Sequence, residues 1–286
     1  MPVDRSDERR PSSGFGRGSS KCVRALAASC LAVLLFRAPL HAAEVPVDLE
    51  LVLAVDISAS IGGDEQRLQR QGYVSAFRST GLSAAIRSGR YGRIAVAYVE
   101  WANPTVQKVV VPWRLLDGAA AADQFAAELA AAPLHREFDT SIANALTFSS
   151  GLFDGQGYAS ERRVIDISGD GPNNTGPPVL AARAAVLERG IVINGLPIMT
   201  KLSWSGGLYS IEGLDIYFED CVIGGEGAFS LVVKHKDDFR QAIERKLLRE
   251  IVRREPATIP VSDADHRQRV DCLAGEKNSG RLIQAK

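Results

Sequence analysis

Apolar, β-branched runs that alternate with helix-patterned stretches most limit what this chain can fold into. "LELVLAVD", from Leu49 to Asp56, precedes a helix-like stretch over Asp64 to Arg78 whose apolar residues are Leu68, Val74 and Phe77. "RIAVAYVEWA" from Arg93 and "VQKVVVPW" from Val106 are separated only by the turn "NPT", the pattern of an antiparallel hairpin. Helices are expected from Ala119 to Ala131 and from Ser141 to Leu152. "RRVIDIS" from Arg162 to Ser168 reads as a buried strand ending in "GDGPNN", and a helix over Pro178 to Arg189 leads through Gly190 into the strand "IVINGLPI". After a glycine turn at Gly224 to Gly227, "AFSLVV" is the last expected strand. In the final helix Phe239, Ile243, Leu247 and Ile251 recur every fourth residue, joined by Leu248 and Val252. Asp237 and Asp238 stand at its start and Arg253 and Arg254 at its end, as the helix dipole favours.

Alternation of this kind predicts an α/β fold: a Rossmann-like, doubly wound and mostly parallel sheet with helices on both faces, in one domain over residues 46–254. With 286 residues and 45% apolar content, the chain can bury a sizeable core. Residues 255–286 read as a polar tail, loose except near Cys272.

Residues 1–43 have a different character. A basic lead with Arg9, Arg10, Arg17, Lys21 and Arg24 precedes an uncharged run from Ala25 to Phe36 and the small-residue end "APLHAA", the layout of a secretory signal peptide. The run is broken by Arg37 after about a dozen residues, and a bilayer span needs roughly 20. Cleavage is expected near Ala42 or Ala43, giving a periplasmic or secreted protein with no transmembrane segment left; an uncleaved leader acting as an anchor is the alternative. Without residues 1–43 the chain keeps 27 Lys plus Arg against 31 Asp plus Glu, and this balance does not invite nucleic acid. Cys22 and Cys30 leave with the leader. Cys221 and Cys272 remain, to be read either as a disulfide tying the tail to the domain or as one buried and one exposed thiol.

Ligands of open α/β sheets sit beyond the carboxyl ends of the strands. Asp56 ends the first strand, with Ser58 and Ser60 following at alternate positions, and Asp170 ends a later one. Thr140 in "EFDTSIANAL" adds a third hydroxyl at a helix start. Hydroxyls and carboxylates are hard oxygen donors, suited to Mg²⁺, Mn²⁺ or Ca²⁺ rather than zinc. Each piece alone is equally compatible with turn and capping chemistry.

Taken together, "DISAS", Thr140 in "TSIANAL" and Asp170 in "GDG" resemble the von Willebrand factor A family. The later "INGLPI" and "YFEDCVIGGEGAFSLV" are similar to a bacterial family related to that fold, domain of unknown function 1194. The resemblance spans about residues 46–254. It implies a sheet with one antiparallel edge strand and a metal-ion-dependent adhesion site. There Ser58, Ser60 and Thr140, with Asp56 and Asp170 directly or through water, hold a divalent cation, Mg²⁺ in the first place. It further implies that a protein partner completes the coordination with an Asp or Glu, so that the chain is a non-catalytic binding module.

Two other classes stay open: a metal-assisted hydrolase, and a scaffold whose metal only stabilises the fold. His135 is the only histidine near these motifs in sequence, no Walker loop or dinucleotide fingerprint is present, and Ser58 occupies the second acidic position of a phosphatase Asp-x-Asp. Phe138-Asp139 replaces the glycines found before the threonine in many family members, leaving Asp139 as a helix cap or as a third carboxylate near the metal. The segment from Met199 to Asp220, with Trp204, Tyr209 and Tyr217, reads either as a partner-facing insertion or as a helix packing its apolar residues. Oligomeric state is not legible.

Overall fold

The structure, a computed structural model, describes residues 43–200, 211–252 and 269–284. The expected leader therefore lies outside the described residues except for Ala43, as do Trp204 and Tyr209. In chain order the elements are β1 (Val45–Pro46), β2 (Glu50–Asp56), α1 (Gly63–Phe77), α2 (Thr80–Arg87), β3 (Ile94–Trp101), β4 (Gln107–Leu116), α3 (Ala119–Ala131) and α4 (Ile142–Gly151). There follow β5 (Tyr158–Ala159), β6 (Arg163–Gly169), α5 (Val179–Glu188), β7 (Ile191–Pro197), α6 (Leu214–Tyr217), α7 (Phe239–Ile251) and α8 (Ala274–Gln284). A π-helical turn over Phe218–Val222 prolongs α6.

The five-stranded sheet has the order β4-β3-β2-β6-β7. β2 pairs in parallel with β3 on one side and β6 on the other, β6 pairs in parallel with β7, and only β3 and β4 run antiparallel. β1 and β5 make a separate two-residue parallel pair. This is the mixed α/β architecture expected from the sequence, with a mostly parallel sheet and one antiparallel edge. All seven residues of β2 are buried, because a strand covered on both faces needs apolar side chains pointing both ways.

Two cores follow from the two-residue side-chain period. Leu49, Leu51, Leu53 and Val55 face one layer with Tyr73 and Phe77 of α1, Phe125 of α3, and Phe239, Ile243 and Leu247 of α7. Val52 and Ala54 face the other, with Ile142 and Leu146 of α4, Val186 of α5, and Tyr217 and Phe218. Truncating one such leucine to alanine removes about 2–5 kcal/mol.

The structure departs from the sequence reading in several places. α2 was not foreseen. The buried face of α1 carries Glu65, Gln66, Gln69 and Arg70, while Leu68 and Val74 are only partly covered. Polar residues serve there because the layer beneath offers partners: Gln69 donates to Ser168 Oγ at 2.8 Å, and Arg70 pairs with Glu100 and donates to Leu129 O at 2.9 Å. The expected strand "AFSLVV" is reduced to parallel bridges at Ser230 and Val233 beside β7. Leu214, Tyr217, Phe218, Cys221 and Val222 are buried, so Tyr217 packs inside rather than facing a partner. In the described part of the tail, α8 begins two residues after Cys272.

Candidate metal centre

β2 lies where the sheet order turns, its successor β3 on one side and β6 on the other. At such a point the loops after neighbouring parallel strands diverge and leave a crevice. In the β2–β6 register Val55 pairs with Ser168. Asp56 therefore ends its strand beside Gly169, and Asp170 follows at the same edge. Gly169 makes room: a Cβ there would stand 3.1 Å from Asp56 Oδ2 and 3.6 Å from the Trp101 ring.

The loop after β2 folds back on its own carboxylate. Ser58 N donates to Asp56 Oδ1 at 2.7 Å, Ser58 Oγ and Ser60 Oγ are 2.9 Å apart, and Ser60 Oγ donates to Asp170 Oδ1 at 2.7 Å. An ionised carboxylate only accepts, so the Ser60 proton is committed to Asp170 and Ser58 is the donor to Ser60. Asp56, Ser58 and Asp170 are buried and Ser60 is exposed, which gives the cluster a covered floor and an open rim.

Two oxygens of this cluster are left over. Asp56 Oδ2 and Asp170 Oδ2 are buried with no donor in hydrogen-bonding geometry. Burial, then the neighbouring Asp170 carboxylate, pushes Asp56 up to about 8. Burial pushes Asp170 up to about 6 against the Ser60 hydroxyl, with Glu65 adding to the rise. Each carboxylate thus keeps one buried oxygen without a donor, and two such oxygens are suited to receive a cation. Among the described residues no group of three or more His, Cys, Asp or Glu is placed to share a metal ion. An ion bound here would rest on two carboxylates and neighbouring hydroxyls, a donor set that fits Mg²⁺, Mn²⁺ or Ca²⁺.

Thr140 reaches the same edge by its backbone. Glu137 N donates to Ile57 O at 3.1 Å, and Thr140 and Asn174 exchange two bonds, Thr140 N to Asn174 Oδ1 and Asn174 N to Thr140 O, both 2.9 Å. The threonine is buried, but no hydrogen bond joins its hydroxyl to the other four residues. Asp139 is neither cap nor inward carboxylate. Its φ of +64° turns the chain so that Thr140 enters the fold, while Phe138 stays 76% exposed and Asp139 itself is exposed. The N-cap of α4 is Ser141, and the open amide of Ala143 donates to Asn173 Oδ1 at 3.0 Å.

Asn173 and Asn174 were not singled out from the sequence. Two asparagines after Gly-Pro are a turn signal, and nothing local shows that their side chains cap a distant helix and hold a distant loop. Glu65, three residues into α1, accepts from Gly62 N at 3.1 Å and from Thr200 Oγ1.

The sheet order, the single antiparallel edge and this edge cluster define a von Willebrand factor A-like domain. Solved structures agree on the fold. Proximal thread matrix protein 1 from the mussel byssus, in a form with a zinc-occupied MIDAS motif, matches at TM-score 0.53 and 14% identity over 73% of this chain and 49% of that one. The pilus adhesin SpaC of Lactobacillus rhamnosus GG matches at TM-score 0.52 and 12% identity over 73% of this chain and 31% of that one. This chain thus spans about half or less of the length of these two proteins. A von Willebrand factor type A structure from Catenulispora acidiphila has TM-score 0.48 and 12% identity over 72% of this chain and 43% of that one. No curated protein sequence matches the chain. The chain belongs to the family described as protein of unknown function (DUF1194), which matches residues 46–255.

Proposed function

We propose that this protein is an exported, non-catalytic module that binds a divalent cation, Mg²⁺ in the first place, and uses it to capture an Asp or Glu carboxylate of a protein partner. Asp56, Ser58, Ser60, Thr140 and Asp170 would hold the ion. The observation that carries the reading is the pair of buried, donorless oxygens on Asp56 and Asp170, linked through Ser58 and Ser60. Two carboxylates balance the charge of a divalent ion, while neutral hydroxyls leave it electrophilic toward a further anionic oxygen. The likeness to an adhesin and to a matrix protein with a MIDAS motif supports the same reading.

Binding is favoured over turnover by the company of the cluster. Its hydrogen bonds run to serine hydroxyls and to the Ser58 amide, and the His135 ring instead meets Lys108 Nζ at 3.0 Å. Export is supported by the leader-like start of the sequence and by the disulfide between Cys221 and Cys272, with S–S 2.04 Å and Cα–Cα 5.6 Å, a bond of oxidising compartments. Among the described residues no helix is long and apolar enough to cross a membrane.

The test is calorimetric titration of the full chain and of Asp56→Ala with Mg²⁺, Mn²⁺ and Ca²⁺. Saturable binding by the wild type that is lost in a folded Asp56→Ala protein is expected. Equal affinity in the two proteins would remove the assignment.

A further inference from the structure

The candidate metal centre is tied to the far C-terminal end of the chain. Asp170, Gly171, Pro172, Asn173 and Asn174 form one loop, and its last two residues hold other parts of the molecule in place. Asn174 exchanges its two bonds with Thr140. Asn173, fully buried, caps α4 through Ala143 N, donates from Nδ2 to Pro177 O at 3.0 Å, and from its backbone N–H to Tyr217 Oη at 3.1 Å.

The remaining partner of Asn173 comes from more than a hundred residues away. Its Nδ2 also donates to Glu276 Oε1 at 2.8 Å, from the first turn of α8. Gly275 presses on the same residue: a Cβ there would fall 2.1 Å from Asn173 O and 3.0 Å from Pro172 Cγ, so no other amino acid fits without displacing the loop. What brings α8 to this place is covalent. Cys272, two residues before the helix, is bonded to Cys221 in the π-helical turn, and Val270 N donates to Asp220 Oδ2 at 3.2 Å.

We propose that the segment from Arg269 to Ser279, anchored by the Cys221–Cys272 disulfide, is a brace that sets the Asp170–Asn174 loop, and through Asn174 the position of Thr140, for metal binding. Glu276 and Gly275 are then positioning residues of the metal centre although neither is one of its ligands. The inference rests on the metal-binding reading above and adds that the affinity of the site depends on the tail. Reduction opens the brace. A dithiol supplies two electrons and two protons, the S–S bond becomes two thiols, and the dithiol is oxidised to its own disulfide.

The experiment is Mg²⁺ titration by calorimetry of the full chain, oxidised and dithiothreitol-treated, beside Glu276→Ala, Glu276→Gln and the Cys221→Ser/Cys272→Ser pair, each with a thermal scan. Glu276→Ala, the serine pair and the reduced protein are expected to bind Mg²⁺ about tenfold more weakly, as outer-shell partners of metal sites typically do when lost. Glu276→Gln keeps the acceptor oxygen and is expected to bind as the wild type does. If the wild type binds Mg²⁺ and the variants match its affinity while losing only thermal stability, the brace is overturned and the metal centre stands. If the wild type binds no Mg²⁺, the metal reading falls and this one with it.

Discussion

Ionising Asp56 in the metal-free protein puts a second negative charge beside Asp170 inside the fold, where water cannot screen it. Its carboxyl, raised from 3.8 to about 8, makes the folded protein less stable as pH climbs through that window, because the unfolded chain gives up the proton far more readily. Asp56→Asn removes that penalty. At pH 8.5 without metal the variant is expected to melt above the wild type, and saturating Mg²⁺ is expected to reverse the order; two thermal scans decide it. Glu50 behaves in the same direction away from the site. Burial foremost lifts it to about 7, with Gln156 Nε2 donating to its Oε2 at 2.7 Å. Folded protein holds this proton between about 4.5 and 7 where the unfolded chain has lost it, so stability falls as pH rises through that window. In Glu50→Gln the fall in melting temperature from pH 5 to pH 8 is expected to be smaller than in the wild type; an equal fall would mean Glu50 ionises normally. Asp56, Ser58, Ser60 and Asp170 were legible as a group because each ends or closely follows a recognisable strand. Asn173 and Glu276 were not, since hydrogen bonds between residues 103 apart leave no local trace.

Among the elements, α7 shows most clearly how far periodicity reaches. Phe239, Ile243, Leu247 and Ile251 face the core as their spacing requires, but Lys246 and Glu250 are equally buried on that helix. They are held by the sheet below: Lys246 Nζ meets Asp166 at 2.6 Å and Glu250 at 2.7 Å, and Asn194 Nδ2 donates to Glu250 Oε2 at 2.8 Å. Asp166 and Asn194 are paired across β6 and β7, so the polar patch belongs to two strands and one helix at once. Lys246→Met is expected to lower stability by about 3–5 kcal/mol in denaturant unfolding, since it leaves two buried carboxylates without their cation. A change below ~1 kcal/mol would show that the patch is hydrated rather than sealed. α1 likewise buries polar groups beside Tyr73 and Phe77, because Ser168 and Glu100 stand opposite Gln69 and Arg70.

At the scale of the whole molecule, the Cys221–Cys272 bond closes a segment of 51 residues and fastens the last described helix to the domain. Loop-closure entropy for such a length is about 4 kcal/mol in the unfolded chain. Cys221→Ser/Cys272→Ser is expected to lose roughly 2–4 kcal/mol of that, a drop of about 5–15 °C in melting temperature for a domain this large. Added reductant should reproduce the drop in the wild type and leave the serine pair unchanged. The described end of the chain is thus held to the domain by one covalent link together with the hydrogen bonds of Val270 and Glu276.

The sequence by itself determined the strand and helix alternation, the antiparallel hairpin, the buried central strand, the family and the residue types gathered at the carboxyl edge. All of these depend on neighbours a few positions apart, where period, turn residues and strand ends act directly on the backbone. Only the tertiary structure decided that Asp139 turns outward while Thr140 turns in, that Tyr217 is buried, that α1 and α7 sink charged groups, and that α8 rests on the loop of Asp170. Those outcomes depend on what stands opposite each side chain once distant segments are packed. A buried carboxylate or amide is tolerated where its partner arrives, and the partner's arrival is a property of the fold.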